Sequence, residues 1–372
     1  MSRLLTDHEI TERVLAHIAN RTTDVGDELW REPVENYRSQ ERFATEIERV
    51  LRRGYTAFCP SSALPEPGSY IAREAAGRPI VAVRGQDGVV RAFQNVCRHR
   101  GMRIASEQGC AKALVCPYHG WTYELNGRLR HVPHAEGFPG LDKESHGLAP
   151  LDAVERHGLV FVSQTKDATP ADLASLPELI GQAQRLYSTS TRDTEANWKI
   201  VLEGFLEGYH IRATHPETFY PFGFDNLNVI EQIGRHSRVT FPFRRIEKLA
   251  AVPSDERRVL GFVTFVYHIF PNALVTVLSN HTNLLVLEPL SVDRTRVVSY
   301  SLTNRSGDAA EVLEAATRDA HFTTMGADED RAVVSAIQRG VASDANDSFV
   351  FGRFESAIVH FHRTLNSALA SG

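Results

Sequence analysis

Two short segments, each with one cysteine and one histidine, constrain this chain more than any other feature. The first reads NVCRHRG over residues 95–101 and the second reads CPYHGW over residues 116–121, so the pattern is C-x-H-x16-C-x-x-H. Glycine and proline within these segments favour tight loops. The spacing predicts that four side chains share one metal group: Cys97, His99, Cys116 and His119.

Two metal groups suit this ligand set. Two cysteines and two histidines could bind one zinc ion tetrahedrally. Zinc knuckles, however, usually pair like residues, whereas each segment here is mixed. A mixed pair suits a [2Fe–2S] cluster of the Rieske type, in which one iron takes both cysteines and the other takes both histidines. We expect the Rieske cluster, with zinc as the alternative, and interpret Cys59 and Cys110 as ordinary small apolar residues.

A second group of metal-binding residue types follows in residues 197–216. The stretch 198–210 has apolar residues at helical spacing, which predicts one helix with a polar opposite face. That face holds Lys199, Glu203, Glu207 and His210. Such a face is most simply solvated, with ion pairs between residues four apart. Gly204 and Gly208 are unfavourable inside a helix and indicate instead a close approach to the backbone.

His215 lies five residues after His210 and directly before Pro216. Because a residue before proline avoids helical backbone, the chain can turn there and bring the two imidazoles together. Two histidines and one carboxylate, with open positions, form the facial triad of non-haem Fe(II) oxygenases. The pattern therefore indicates an iron site that needs a carboxylate from elsewhere.

From about residue 35 to residue 365, the chain resembles the catalytic α subunit of the Rieske non-haem iron oxygenases, also called ring-hydroxylating oxygenases. The segments CRHRG and CPYHGWTY resemble the cluster motifs of that family, and NWKIVLEGFLEGYHIRATHP resembles its iron-binding helix. The resemblance implies that His210 and His215 are iron ligands. It also implies that Glu207 bridges His210 and the His119 of a neighbouring subunit through hydrogen bonds.

The resemblance places the third iron ligand far downstream, in an acidic pair followed eight residues later by glutamine. Here Asp328, Glu329 and Asp330 precede Gln338, and Asp330 matches the ligand position, with Asp328 and Glu329 as the alternative ligands. Considered alone, the same three acids would be an acidic helix N-terminus. One departure is Gly204, because many relatives carry asparagine there.

The order of patterns predicts an α+β protein. Short β-prone runs with Asp87-Gly88 and Asn126-Gly127 turns predict a small all-β domain, and runs between residues 238 and 303 predict an antiparallel sheet. Helical patterns begin near Leu173 and return around 309–340 and 353–369. The resemblance adds that an N-terminal Rieske domain precedes a catalytic helix-grip domain with a long antiparallel sheet. The predicted parts are an N-terminal helical segment (1–51) that packs with the catalytic domain, the Rieske domain (52–165) and the catalytic domain (166–372).

Composition excludes several classes of protein. The 372 residues carry a formal net charge of -5, and the sequence pI is about 6.4. A chain-wide surface for nucleic acid is therefore not expected. Because no apolar run approaches the ~18 residues of a membrane span and the start lacks a signal peptide, we predict a cytoplasmic protein.

The resemblance implies a terminal oxygenase that hydroxylates a small organic substrate with O2. Electrons would come from a reductase, with or without a ferredoxin, and reach a mononuclear Fe(II) through the Rieske cluster. A homotrimer is implied, with or without a small β subunit. We favour an aromatic substrate. The alternatives are an N- or O-demethylating monooxygenase, a Rieske electron-transfer protein and a zinc-stabilised scaffold. The candidate pocket residues, each equally plausible as core, are Phe205, Phe222, Tyr267, Phe270 and Leu284.

Overall fold

The computed structural model describes residues 3–165, 168–304 and 310–371. It contains two compact units. The small unit comprises residues 51–170, and the large unit comprises residues 1–50 together with 171–372. Residue 166, where we expected the catalytic domain to begin, lies outside the described residues.

The N-terminal segment is helical over most of its length, as the sequence predicted, but a short strand interrupts it. Helix α1 is fixed at its start by a capping box, in which Thr6 accepts from the Glu9 amide and the Glu9 carboxylate accepts from the Thr6 amide. A short strand then pairs with a strand near the C-terminus. The elements are α1 (Asp7–Asn20), β1 (Trp30–Pro33), α2 (Glu35–Arg38) and α3 (Gln40–Glu46), which continues as a π-helix over Ile47–Arg52.

The small unit is built from β-strands, as its short β-prone runs and turns predicted. Seven strands form one antiparallel sheet in the order β2-β11-β10-β5-β4-β3-β6, and three form a second sheet in the order β7-β8-β9. Gly88 and Gly127 both have positive φ values, of 77° and 90°, in the turns that precede β5 and β9. The strands are β2 (Thr56–Pro60), β3 (Ser69–Ala75), β4 (Arg78–Arg84), β5 (Val90–Gln94), β6 (Gln108–Cys110), β7 (Leu114–Val115), β8 (Thr122–Tyr123), β9 (Leu129–His131), β10 (Pro150–Arg156) and β11 (Leu159–Ser163).

The large unit contains the long antiparallel sheet. Its order is β12-β18-β17-β16-β15-β14-β13, so every strand from β13 to β18 pairs with its neighbour in the chain. The region after Leu173, which we predicted to be helical, contains a 3-10 turn over Pro170–Ser175 and then strand β12. The strands of this sheet are β12 (Leu186–Thr194), β13 (Val229–Ile233), β14 (His236–Pro242), β15 (Val263–Ile269), β16 (Ala273–Val277), β17 (His281–Ser291) and β18 (Arg294–Thr303). Strand β19 (Ser348–Phe351) pairs with β1 instead.

Four helices complete the large unit. They are α4 (Trp198–Glu203), α5 (Ile211–Thr214), α6 (Ala310–Val341) and α7 (Ser356–Ala370). Helices α4 and α6 pack on β17 and β18, whereas α7 packs on β13 and β14. Residue 309, where the predicted helix begins, lies outside the described residues. The core between sheet and helices includes Trp198 from α4, Leu287 from β17 and Phe361 from α7, each fully buried.

Within the described residues, no helix is both long enough and apolar enough to cross a membrane.

Candidate cluster and metal sites

Two loops of the small unit have the same backbone hydrogen bonds. In the first, the Cys97 amide donates to Met102 and the Gly101 amide donates to Cys97, at 2.8 and 3.0 Å. In the second, the Cys116 amide donates to Trp121 and the Gly120 amide donates to Cys116, at the same two distances. Both glycines have positive φ, which glycine adopts without strain. The two sequence segments therefore fold into equivalent loops that present equivalent side chains.

The four predicted cluster residues come together at the ends of these loops. The thiols of Cys97 and Cys116 are buried, with residue exposures of 3% and 2%. The rings of His99 and His119 lie 4.8 Å apart between centroids, and His119 is exposed. Trp121 stacks on His99 at 5.0 Å. The arrangement places sulfur ligands inside and imidazoles towards the surface, where an electron could enter or leave.

The chemistry of these ligands suits two metal ions better than one. Each loop supplies one buried sulfur and one imidazole. Such mixed pairs fit a cluster in which one iron takes both cysteines and the other takes both histidines. Burial raises the pKa of the Cys116 thiol, and neighbouring Cys97 raises it further. Two buried thiols can ionise together only if cations are supplied, as in an iron–sulfur cluster.

The segment around Glu207 is not the single helix that we predicted. Helix α4 ends at Glu203, and Glu207 and His210 lie in an irregular stretch before α5. A Cβ on Gly208 would lie 2.5 Å from the Asn228 side chain, so the glycine there permits a close approach. Gly204 has no such neighbour. Tyr209, one of the residues in the stretch 198–210 for which we predicted a helix with an apolar face, is 59% exposed.

The polar face that holds Lys199, Glu203, Glu207 and His210 is not simply exposed to solvent. Lys199 is 1% exposed and forms an ion pair with fully buried Glu46, with Nζ–Oε distances of 2.9 and 2.8 Å. Glu203 is also buried and accepts hydrogen bonds from Tyr37 and His362 at 2.7 and 2.8 Å. Lys199 and Glu203 therefore anchor α4 to the N-terminal segment and to α7.

His210, His215 and Asp330 form the second metal-binding arrangement. Asp330 Oδ1 lies 2.9 Å from His215 Nε2 and 3.6 Å from His210 Nε2. His215 is fully buried, yet among the described residues its Nε2 has no hydrogen-bond partner of good geometry. Two imidazoles and a carboxylate converging on one point are the donor set of a mononuclear iron with open positions. The residues present therefore fit the iron that the sequence indicated.

The two neighbours of Asp330 have other partners. Asp328 is directed away and pairs with Arg192 at 2.6 Å. Glu329 Oε2 lies 2.6 Å from His215 Nδ1 and also accepts from the Thr218 hydroxyl at 2.6 Å. Sequence reasoning offered Glu329 only as a substitute ligand and missed Thr218. The sequence did contain a signal for this role, because Glu329 stands directly before the proposed ligand Asp330. From there it reaches Nδ1 of His215, the nitrogen that does not face the metal site.

Each histidine of this site is held by a glutamate at its other nitrogen. Glu207 Oε1 bonds His210 Nδ1, while Glu207 Oε2 accepts from the Tyr209 and His210 amides. Burial lowers the pKa of His210, but the hydrogen bond and charge of Glu207 outweigh it and leave the pKa raised. The pKa of His215 is raised in the same way, against burial, chiefly by Asp330 and then by Glu329. The carboxylates that raise these two pKa values also provide negative charge that a bound divalent cation would neutralise.

The fold and the two sites define an iron-dependent redox protein with a cluster unit and a mononuclear metal unit. Residues 181–371, just over half of the chain, match the family model described as the ring hydroxylating alpha subunit catalytic domain. Residues 54–143 match the Rieske [2Fe-2S] domain. The chain therefore belongs to the ring-hydroxylating α-subunit family, which confirms the resemblance and the α+β fold. The two domains imply a Rieske cluster and a mononuclear iron.

Several relatives of this chain are oxygenase subunits of carnitine monooxygenases. The carnitine monooxygenase oxygenase subunit of Acinetobacter pittii is 37% identical over 202 residues, a match that spans 51% of this chain and 54% of that protein. Thus the match covers about half the length of that relative. The carnitine monooxygenase oxygenase subunit of Escherichia coli K12 is 27% identical over 98% of both chains. A solved quaternary ammonium Rieske monooxygenase, 24% identical, shares the fold with a TM-score of 0.78 over 93% of this chain and 96% of its own.

Proposed function

We propose that this protein is the terminal oxygenase of a Rieske monooxygenase system and oxidises a quaternary ammonium compound. The observation that carries the proposal is the convergence of His210, His215 and Asp330 within the large unit. A Rieske electron-transfer protein has no need for such a site. The aromatic substrate that we favoured from the sequence receives no support from the carnitine monooxygenase relatives.

The proposed site residues divide into ligands and orienting acids. His210, His215 and Asp330 would hold the mononuclear iron, and Cys97, His99, Cys116 and His119 would hold the cluster. When bound, the cluster supplies single electrons and the iron supplies a site for O2 activation. Glu207 and Glu329 keep a proton on the Nδ1 atoms of His210 and His215, so that each Nε2 is free to bind metal.

The exposed groups support electron transfer between two copies of the chain. His119 is exposed in the small unit and stacks on the 54% exposed Tyr118, whose hydroxyl accepts a hydrogen bond from Arg100. In the large unit, Tyr209 is 59% exposed directly beside Glu207. In each unit, an exposed tyrosine therefore lies beside a group of the metal site. The solved relative is described with inter-subunit electron transfer, and we propose the same here in a homotrimer, with Glu207 between His210 and the His119 of the neighbouring copy.

The two units would act as functional domains, with residues 52–165 as the Rieske domain and the rest as the catalytic domain. The reductase is a separate partner. A monooxygenation inserts one oxygen atom into the substrate and reduces the other to water with two electrons and two protons, which the reductase and solvent supply. Copurification with the chain would reveal a small β subunit.

The proposal is tested by reconstitution. The iron-loaded protein, a compatible reductase and NADH are incubated with labelled O2 and two panels, one of quaternary ammonium compounds and one of aromatic acids and hydrocarbons. We expect substrate-dependent O2 consumption and oxidation at a carbon next to nitrogen. Asp330→Ala should lose mononuclear iron and turnover but keep the cluster spectrum, because the two sites lie in different units. Oxidation of the aromatic panel alone would overturn the substrate class.

A further inference from the structure

A row of aromatic rings begins at the iron-site histidine His215. The Phe219 ring lies 4.6 Å from the His215 ring, the Phe322 ring lies 5.0 Å from Phe219, and the Phe222 ring lies 5.5 Å from Phe322. Phe219 and Phe322 are half-buried and Phe222 is 55% exposed. The row therefore leads from the metal site towards the surface. Core phenylalanines such as Phe361, in contrast, are fully buried.

Helix α6 is shaped to admit this row. Phe322, Gly326 and Asp330 are spaced by four residues, so they share one face of α6. A Cβ on Gly326 would lie within 2.8 Å of three atoms of the Phe219 ring. Any larger residue would therefore push the ring away. Glycine is unfavourable inside a helix, and here it sits one turn before the proposed iron ligand, where it seats an aromatic ring against the helix.

The chemistry of this row selects a class of ligand. A trimethylammonium group has no N–H and cannot donate hydrogen bonds, so aromatic faces and nearby negative charge are what can recognise it. The row offers aromatic faces, and Glu329, which is not one of the proposed iron ligands, carries negative charge at its inner end. Resting on the proposed function, we propose that Phe219 and Phe322 hold the quaternary ammonium head beside the iron site, with Phe222 at the outer end of the row.

Two ligands of the same shape, only one of which carries the positive charge, test this proposal. The probes are γ-butyrobetaine and its carbon analogue, in which a tert-butyl group replaces the trimethylammonium group and the carboxylate is kept. Binding to the iron-loaded full chain is measured anaerobically by calorimetry. We expect the wild type to prefer γ-butyrobetaine. Phe219→Leu and Phe322→Leu should each weaken γ-butyrobetaine by about fivefold, a typical cation–π effect, and change the carbon analogue much less.

Two further variants separate recognition from general damage. Gly326→Ala removes no ring but should displace Phe219, so it too should weaken γ-butyrobetaine selectively; its iron content verifies that Asp330 is still in place. Phe262→Leu is the matched control, because Phe262 is a half-buried phenylalanine that packs on a separate cluster, and it should bind both probes like the wild type.

The possible failures can be told apart. Equal weakening of both probes by Phe219→Leu and Phe322→Leu, or unchanged binding, would overturn the cation role of the row and leave the proposed function intact. Equal binding of the two probes by the wild type would do the same, since the row would then recognise only apolar shape. A wild type that binds neither probe would overturn the quaternary ammonium substrate class and this inference with it.

Discussion

Glu329 and Asp330 are adjacent in the chain but contact opposite nitrogens of one imidazole. Glu329 Oε2 lies 2.6 Å from His215 Nδ1, and Asp330 Oδ1 lies 2.9 Å from His215 Nε2. One acid therefore orients the ring, while the other shares the position where a metal would bind. Glu207 performs the orienting role for His210. Both histidines thus have a carboxylate behind them, which fixes the tautomer and strengthens the ligand.

We expect Glu329→Gln to weaken iron binding without abolishing it. The amide can still accept from His215 Nδ1, but the negative charge is lost, and changes of this kind typically cost about tenfold or more in metal affinity. Competition with an iron(II) chelator measures the change. Asp328→Asn is the control, because Asp328 pairs with Arg192 instead. Complete loss of iron in Glu329→Gln would instead make Glu329 a ligand.

Cys97→Ser should remove the Rieske cluster, because serine replaces one of only two thiolate ligands. The visible spectrum and the electron paramagnetic resonance signal of the reduced protein report the cluster directly. Cys110→Ser should retain both signals, since Cys110 is exposed and stands outside the two loops. His119→Ala should resemble Cys97→Ser. A normal Rieske signal in either of these two variants would show that the ligand set is wrong.

Glu207→Gln should keep both metal centres and nearly stop turnover. Glu207 bonds His210 at Nδ1 and is not needed to complete the triad. If it also joins the cluster of a neighbouring copy to His210, a reduced cluster in the variant should fail to reoxidise when O2 and substrate are present. Rapid-mixing absorption spectroscopy follows this step. Glu217→Gln, at an exposed position after His215, is the control, and wild-type reoxidation in Glu207→Gln would remove the bridge.

The parts that the sequence predicted well are those specified by neighbours in the chain. The two cluster loops and the hairpins at Gly88 and Gly127 each depend on a few consecutive residues. His210 and His215 flank the single helical turn α5, so their convergence is local too. Asp330 was found through the family motif, because no local rule connects a residue to partners more than one hundred positions earlier.

The parts that were predicted wrongly depend on distant residues. Lys199 was placed on a solvated face, but its partner Glu46 lies 153 positions earlier, and the pair is buried together. Helical spacing continued past Glu203, yet the Glu207 carboxylate accepts the Tyr209 and His210 amides in an irregular stretch. The sequence alone did not explain Gly326, because the ring that packs against it, Phe219, belongs to another segment of the chain.

His236 should make the large unit less stable in acid. Burial is the main reason that the pKa of His236 falls to about 4 from an ordinary 6.5, although the Asp172 carbonyl and charge oppose it; Arg235 and His360 lower it further. His236 Nδ1 accepts from the Phe270 amide at 3.0 Å, so protonation there would break a buried hydrogen bond. Buried His268 has a pKa lowered to about 3, also chiefly by burial.

The sign of the effect follows from proton binding. Between about pH 6.5 and about pH 4, the unfolded chain binds a proton at His236 and the folded chain does not, so the free energy of unfolding falls as the pH falls. His236→Gln should reduce that slope by one proton, ~1.4 kcal/mol per pH unit. Urea unfolding of the full chain at several pH values in this window measures the slope. His321→Gln, at an exposed position, should leave it unchanged, and an equal slope in His236→Gln and the wild type would show that His236 is not the group responsible.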